Sequence, residues 1–325
     1  MNPDPTPSLQ LTTAVLFLVF NRPDKTAQVF EAIRKAKPQR LYVAADGPRP
    51  NREGETEAIA KVREISTAVD WPCEVKTLFR EKNLGCKYAV SGGISWFFEH
   101  EELGIILEDD CLPHPDFFYF CELLLKRYLD DERVSVITGN NFQNGQRRGG
   151  ATYYFSRYNH VWGWATWRRA WNRNDSKISF WPEWRVSQDW KNKFPDTVES
   201  VYWQKIFDQV YENRIETTWD YPWTASVWYQ GGLTATPNVN LVSNIGFGPN
   251  STHTTQVDSP FSNMETSSLD QITHPEEIIW DHLADRYTFD HNFGGRLSRF
   301  PWFWLRLPRR VLGFLYRFTR RVLAL

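Results

Sequence analysis

The residues of this chain with the clearest capacity for chemistry are three consecutive acids, Glu108, Asp109 and Asp110. They follow the apolar run 105–107, which predicts a buried strand that delivers the carboxylates to the edge of a sheet. Adjacent carboxylates repel one another and are costly where water is scarce, so we expect a cation beside them. Their oxygen ligands suit Mg²⁺ or Mn²⁺, and a metal held there is well placed to bind a diphosphate. The alternative is that the acids cap the helix that follows.

An alternating series of strands and helices must position these acids. The pattern predicts strands at 14–20, 41–45, 74–79, 104–108, 233–236 and 239–242, and helices at 24–35, 53–69, 87–100, 116–129 and 198–212. Such alternation in the first half is typical of an α/β fold with a largely parallel sheet, whose ligands bind outside the carboxyl ends of the strands. The polar residues expected at those ends, besides the acids, are Asn21, Arg22, Asp46, Arg80 and Asn83. All four strand ends of the first half are therefore predicted to face one crevice.

Four motifs at these strand ends resemble those of GT-A glycosyltransferases, in particular family 2-like enzymes and N-acetylglucosaminyltransferase I. They are Val19-Phe20-Asn21-Arg22-Pro23, Ala45-Asp46-Gly47, Asn83-Leu84-Gly85, and Glu108-Asp109-Asp110 with Pro115-Asp116-Phe117-Phe118-Tyr119-Phe120. The resemblance covers the chain well up to the predicted helix 116–129 and the remainder loosely. It implies a GT-A fold, a Rossmann-like arrangement with a mixed, mostly parallel sheet that binds a nucleotide-diphospho-sugar.

The same resemblance assigns roles to particular residues. Asn21, Arg22 and Asp46 are expected to hold the nucleotide base and ribose, and Asp110 to bind the metal. The full set expected to contact the donor is Asn21, Arg22, Asp46, Arg80, Asn83, Glu108 and Asp109. The implied activity is a metal-dependent hexosyl or N-acetylhexosaminyl transfer from a nucleotide-diphosphate donor to a saccharide or glycolipid acceptor, as in polysaccharide biosynthesis.

An inverting transfer of this kind needs a general base that takes the proton of the acceptor hydroxyl. A carboxylate between aromatic residues fits this role, because partial desolvation raises its proton affinity while the rings seat a sugar. Asp220, which stands between Trp219 and Tyr221, is therefore the predicted base, with Asp189 and Glu216 as further candidates. The alternative for Asp220 is a core carboxylate satisfied by backbone donors.

A second metal ligand is predicted in the polar, glycine-bearing loop 244–253, which ends at His253. Many GT-A enzymes fold such a loop back over the diphosphate. A neutral imidazole there would add a ligand that one carboxylate does not supply. The alternative is a solvated loop histidine.

The aromatic stretch 162–171 is a candidate for the wall that receives the acceptor. Trp164 is expected at the surface of this wall, and Trp219 on the same side, because large rings stack on sugar faces. Arg168 or Arg169 would face phosphate. The alternative, which we favour for most tryptophans of this stretch, is packing beneath the acceptor site.

The last part of the chain, 300–325, has six arginines and no acids. Its arginines and apolar residues separate on a helical wheel, which predicts a basic amphipathic helix that binds an anionic membrane surface. The alternative is a terminal helix that docks on the domain. The predicted organisation is a catalytic domain at 1–255, divided into a nucleotide-sugar half, 1–138, and an acceptor half, 139–255, then an extension at 256–299 and the tail.

Net charge, cysteine spacing and hydropathy indicate which partners and which cellular location to expect. A formal net charge of -1 gives no electrostatic reason to expect a nucleic-acid partner. The four cysteines lack the spacing of a metal finger or a dense disulfide framework, so reduced thiols are expected. The apolar run 14–20 is too short to span a bilayer. We therefore expect a cytoplasmic protein, attached through its tail to the inner face of the plasma membrane.

Two other functions remain open from the sequence. The 16 tryptophans would suit a non-catalytic carbohydrate-binding protein, although such a protein has no need of convergent acids. A sugar nucleotidyltransferase would fit the same kind of sheet. That chemistry typically uses a glycine-rich loop after the first strand to bind a triphosphate, and the segment 21–24 contains no glycine.

Overall fold

The structure is a computed structural model that describes residues 10–215, 217–248 and 259–299. In the first half of the chain, strands and helices alternate as the sequence predicts. These elements are β1 (Val15–Val19), α1 (Pro23–Ala36), β2 (Arg40–Ala45), α2 (Glu55–Thr67), β3 (Glu74–Phe79), α3 (Cys86–His100), β4 (Leu103–Glu108), β5 (Cys111–Pro113), α4 (Pro115–Arg127) and β6 (Val134–Thr138).

The second half is less regular and contains several short helices. Its elements are β7 (Tyr153–Ser156), β8 (Trp164–Trp167), α5 (Arg168–Trp171), α6 (Trp181–Trp184), α7 (Gln188–Lys193), α8 (Thr197–Tyr211), α9 (Asp220–Tyr229), β9 (Leu233–Pro237), β10 (Val242–Asn244), α10 (His282–Asn292) and a 3-10 turn at Arg296–Ser298. The predicted helix 198–212 and strand 233–236 match α8 and β9 closely. The predicted strand 239–242 lies too early, since β10 begins at Val242.

Eight strands form one mixed sheet in the order β3-β2-β1-β4-β8-β6-β9-β7, and β5 pairs with β10 in a separate two-stranded sheet. Neighbouring strands among β1 to β4 are parallel, and β6 is parallel to β9. Strands β8 and β7 run antiparallel to their partners. The prediction of an α/β fold with a mixed, mostly parallel, Rossmann-like sheet is therefore confirmed.

Strand β1 shows why this sheet is stable. All five of its residues are buried, and alternate side chains enter two separate apolar clusters. Val15, Phe17 and Val19 belong to one cluster, which also includes residues of α1 and α4. Leu16 and Leu18 belong to the other, which includes residues of α3, α8 and α9. A strand covered on both faces reads as a continuous apolar run, which is how it was recognised in the sequence.

Strand β8 departs most from expectation. It pairs antiparallel with both β4 and β6, so it lies inside the sheet. Trp164 has no exposed surface and packs against Trp171 and Trp223. The prediction that Trp164 lies at the surface was wrong, because an inner strand covered on both faces buries its side chains whatever their chemistry.

The two arginines that follow β8 also lie away from their predicted place. Arg168 Nε donates to the carbonyl of Glu101 at 3.1 Å, and Arg169 donates to carbonyl oxygens within 128–134. Because β8 runs opposite to β4, its end lies at the amino ends of the parallel strands. Neither arginine therefore faces the crevice where a phosphate was expected.

A buried ionic network joins the last helix to the rest of the protein. Arg157 lies 3.3 Å from Asp285 and 3.3 Å from Glu199, and each of these side chains is at most 7% exposed. Trp280 Nε1 donates to Asp285 at 2.6 Å, and the Tyr158 hydroxyl donates to Glu199 at 2.7 Å. Because Asp285 belongs to α10 and Glu199 to α8, the network links both helices to the segment after β7.

The network makes the stability of the protein depend on pH. Burial raises the pKa of Glu199 from 4.5 to about 7, against the lowering effect of Arg157. A raised folded-state pKa means that the native protein binds the proton more tightly than the unfolded chain does. This contribution is therefore fully present below pH 4.5 and is lost as the pH rises through 7.

We expect Glu199→Gln to remove this dependence. Between pH 4.5 and pH 8, the unfolding free energy of the wild type should fall by on the order of 3 kcal/mol relative to that of Glu199→Gln. Urea denaturation at several pH values measures that difference. A difference that stays constant over this range would contradict the assignment.

Within the described ranges, no helix has both the length and the apolar composition required to cross a lipid bilayer. The basic tail 300–325 lies outside the described residues. Its predicted binding to an anionic membrane surface stays a prediction from the sequence.

Candidate functional site

A cavity of about 530 Å³ lies outside the carboxyl ends of β1, β2 and β4. The first half of the chain supplies one side of it, and residues near the start of α9 supply the other. The predicted site residues that line it are Arg22, Asp46, Arg80, Asn83, Glu108, Asp109, Asp110, Trp219 and Asp220. The strand ends therefore meet in one crevice, as expected from the parallel order of the first strands.

Arg22 binds two of the three acids, Asp109 and Asp110. It lies between the end of β1 and Pro23, the first residue of α1. Its Nη2 lies 2.7 Å from Asp109 Oδ1, and its Nη1 lies 2.9 Å from Asp110 Oδ2. Asp109 also accepts a hydrogen bond from the Phe20 backbone N–H at 3.1 Å. The end of β1 is thus fixed against the end of β4.

The three acids carry more negative charge than Arg22 compensates. Burial raises the pKa of Glu108 to about 8, and repulsion by Asp110 and Asp109 adds to the effect. Burial likewise raises the pKa of Asp109 to about 6, with Arg22 acting in the opposite direction. A further cation would stabilise the ionised forms of this cluster.

This donor set fits a divalent cation that a diphosphate helps to hold. Mg²⁺ is commonly bound through one or two carboxylates together with phosphate oxygens and water. Among the described residues, no group of three or more His, Cys, Asp and Glu side chains is arranged to hold a metal ion. The predicted ligand His253 lies outside the described residues. Asp110, with Glu108 nearby, is the part of the predicted metal site that the structure describes.

Asp46 joins the end of β2 to the segment that follows β3. Its carboxylate accepts hydrogen bonds from the backbone N–H groups of Gly47, Leu84 and Gly85, each at 3.0 Å. Asn83 Nδ2 donates to the carbonyl of Gly47 at 2.9 Å. Gly47 must be glycine here, because a Cβ would lie 2.5 Å from the backbone of residue 82. Asp46 and Asn83 therefore shape the rim of the cavity through backbone contacts.

Asn21 is not among the residues that line the cavity, whereas Arg49, which the sequence did not suggest, is. Asn21 Nδ2 donates to Glu55 at 2.9 Å. Glu55 also pairs with Arg49, whose hydrogen bond is the largest cause of the lowered pKa of that carboxyl. Arg49 lies 5.2 Å from the centroid of the Phe20 ring, and both residues line the cavity. The sequence feature that could have indicated Arg49 is its position in the turn after β2.

Asp220, the predicted base, is the first residue of α9 and lines the cavity. The Thr218 hydroxyl donates a hydrogen bond to its Oδ1. Asp220 lies close enough to Glu108 to contribute to the raised pKa of that group. The carboxylate predicted to act on the acceptor and the acids predicted to hold the donor therefore face the same space.

Aromatic side chains form the wall beside Asp220. Trp219 lines the cavity and stacks on the buried Trp164, with ring centroids 5.9 Å apart. Trp162 also lines it and meets Phe247 edge to face at 5.8 Å. Trp162, which lies before the inner strand, therefore occupies the place at the cavity wall that was predicted for Trp164.

Among the described residues, Asp220 is the one candidate base that lines the cavity. Asp189 accepts a hydrogen bond from Trp184 Nε1 at 2.7 Å and pairs with Lys193 at 2.6 Å. It is absent from the residues that line the cavity. Glu216 lies outside the described residues, so its role stays a prediction.

Of three comparisons of this chain with known proteins, the one with solved structures found similar proteins. No protein-family model matches the chain, and a search of curated proteins found no match. A CMP:2-keto-3-deoxy-manno-octonic acid synthetase complexed with CTP is 14% identical over 69% of this chain and 89% of that chain, with a TM-score of 0.34. UDP-glucose pyrophosphorylase complexed with UDP-glucose is 14% identical over 45% and 62%, with a TM-score of 0.25. HddC from Yersinia pseudotuberculosis is 9% identical over 49% and 78%, with a TM-score of 0.28. Because these overlaps are distant, we base the proposed function on the residues of the cavity.

Proposed function

We propose that this protein transfers a sugar from a nucleotide-diphosphate donor to a saccharide or lipid-linked acceptor, with the help of Mg²⁺ or Mn²⁺. The observation that carries the proposal is one cavity with two chemically different sides. Arg22 and the acids Glu108, Asp109 and Asp110 lie on one side, and Asp220 with its aromatic neighbours lies on the other. This arrangement suits a reaction that separates a diphosphate from a sugar in front of a base.

The donor side offers groups for a diphosphate and a nucleoside. The guanidinium of Arg22 matches the geometry of phosphate oxygens, and Arg49 and Arg80 add positive charge along the wall. A divalent cation bound there would neutralise charge on the leaving diphosphate. Asp110 would hold it, with Glu108 nearby. The rim that Asp46 and Asn83 shape would contact the nucleoside.

The acceptor side offers a base and rings. Asp220 would take the proton of the acceptor hydroxyl as the bond to the sugar forms. The Thr218 hydroxyl, which donates to Asp220 Oδ1, would keep the carboxylate oriented. Trp162 would stack against an apolar face of the acceptor sugar and exclude water, and the largely buried Trp219 would support that wall from behind.

A binding experiment tests the donor side. We expect full-length protein to bind at least one of UDP, CDP, GDP and ADP in a Mn²⁺-dependent manner. Asp110→Asn should weaken that binding about 5–150-fold, because the metal loses its carboxylate ligand and the nucleotide loses the part of its affinity that is coupled to the metal. Asp130→Asn, a change of the same chemistry at an exposed residue, is the matched control and should bind as the wild type does. Isothermal titration calorimetry measures all three proteins.

The outcomes separate the rival functions. Failure of all four nucleotides to bind, with and without Mn²⁺, would contradict the proposal. Binding of oligosaccharides alone would favour a carbohydrate-binding protein. Release of pyrophosphate from a nucleoside triphosphate and a sugar phosphate, lost in Asp110→Asn, would favour a sugar nucleotidyltransferase. Hydrolysis of a labelled nucleotide sugar would support the proposed transfer and identify the donor.

The cellular setting is proposed from the sequence. An acceptor anchored in a membrane would suit a chain with a basic amphipathic tail, as in the assembly of polysaccharide or glycolipid at the cytoplasmic face.

A further inference from the structure

Asp110, the proposed metal ligand, is already bound to an internal cation. Arg22 Nη1 lies 2.9 Å from Asp110 Oδ2, while Nη2 of the same guanidinium holds Asp109 at 2.7 Å. The Asp110 side chain is 13% exposed, so little of its surface remains open to solvent. Arg22 therefore neutralises the carboxylate that a metal would need.

The opposite side of the same carboxylate is covered by backbone. A Cβ at Gly246 would lie only 2.1 Å from Asp110 Oδ2, so the chain at this glycine packs directly against that oxygen. The backbone N–H of Ile245 donates to the carbonyl of Asp110 at 2.8 Å and fixes this contact. Asp110 Oδ2 thus lies between the loop and Arg22.

A divalent cation and a guanidinium repel each other strongly at such short distances, all the more in a partly buried site. We propose that Arg22 and the divalent cation exclude each other at Asp110, and that the diphosphate of the donor allows the cation to bind by drawing Arg22 onto its own oxygens. This inference rests on the proposed function. It adds that metal and donor bind cooperatively, and that Arg22 is the positioning residue that couples them.

Arg22 is suited to exchange its partners. Its side chain is 28% exposed and lines the cavity, so it can turn toward a ligand without leaving the protein surface. A diphosphate offers paired oxygens that match the two N–H groups now bound to the two carboxylates. Because coupling is reciprocal, the metal must strengthen nucleotide binding by the same factor as the nucleotide strengthens metal binding.

The test measures Mn²⁺ binding to full-length protein without any nucleotide, by electron paramagnetic resonance of the free ion. Arg22→Gln should bind Mn²⁺ about tenfold or more tightly than the wild type, since the competing cation is gone. Arg22→Lys, which keeps one charge but cannot span both carboxylates, should show a smaller gain. The double variant Arg22→Gln/Asp110→Asn should lose the gain. Near-ultraviolet circular dichroism reports whether each variant keeps the native packing of its tryptophans.

The same proteins are then titrated with UDP, CDP, GDP and ADP. In the wild type, Mn²⁺ and the preferred nucleotide should each strengthen the binding of the other, and Arg22→Gln should reduce that mutual effect. Equal Mn²⁺ affinity in the wild type and in both folded Arg22 variants would overturn the competition while leaving Mn²⁺-dependent nucleotide binding intact. Absence of Mn²⁺-dependent nucleotide binding in the wild type would overturn the proposed function itself, and the two failures are therefore distinguishable.

Discussion

Replacing Asp220 by asparagine is expected to slow sugar transfer by about 10²–10⁴-fold, which is the usual contribution of a positioned general base. The amide cannot take up the proton of the acceptor hydroxyl. It has nearly the same shape as the carboxylate and still accepts the hydrogen bond from the Thr218 hydroxyl, so the start of α9 should keep its structure. Transfer from a labelled nucleotide sugar to an acceptor measures the effect.

The control for this prediction is Asp189→Asn. Asp189 is also a carboxylate near tryptophans, but it pairs with Lys193 outside the cavity. We expect Asp189→Asn to transfer sugar at the wild-type rate. Asp220→Asn should bind nucleotide normally and transfer sugar slowly. Full activity of Asp220→Asn, or an equal loss in both variants, would rule out Asp220 as the base.

The second large effect concerns stability. Asp285→Ala is expected to lower the free energy of unfolding by about 3–5 kcal/mol, as is typical when one partner of a buried ion pair is removed. Asp285 accepts hydrogen bonds from Ser156, from the backbone N–H of Arg157 and from Trp280, in addition to its ion pair with the Arg157 side chain. Its loss leaves these buried donors unpaired and detaches α10 from the segment after β7.

Urea denaturation followed by tryptophan fluorescence measures this loss. The matched control is Asp270→Ala, the same substitution at an exposed residue, which should change the unfolding free energy by less than about 0.5 kcal/mol. Asp285→Asn should lose less than Asp285→Ala, since an amide oxygen still accepts some of the hydrogen bonds. A change of similar size in Asp285→Ala and Asp270→Ala would contradict the role of the network.

The first half of the fold could be predicted because each of its strands is an apolar run that ends in polar residues. Such runs lie inside a parallel sheet, and parallel strands present their carboxyl ends at one edge. This reasoning placed Arg22 and Asp46 in the same crevice as the acid triplet, and the structure does so too. The individual contacts were not predictable. Asn21 turns to Glu55, for example, because a residue 34 positions away completes its hydrogen bond.

The second half resisted prediction for a different reason. Residues 164–167 are four in number and rich in tryptophan, so their pattern does not distinguish a surface wall from an inner strand. Only the pairing of β8 with both β4 and β6 decides that Trp164 is buried while Trp162 reaches the cavity. Such long-range pairing leaves no local mark in the sequence. The start of α9 at Asp220 was likewise hidden, because its N-cap position is held by Trp219, which makes no side-chain cap hydrogen bond.

The position of β8 also limits how this protein can be cut and recombined. The predicted boundary at 138/139 separates β4 and β6 from the strand that joins them. A fragment that ended there would leave β6 without either of its partners, β8 and β9, and would also expose one edge of β4, and such unpaired edges are open to aggregation. Exchange of acceptor halves between related chains would therefore succeed only if the crossover lies after Trp167, so that β8 travels with the donor half.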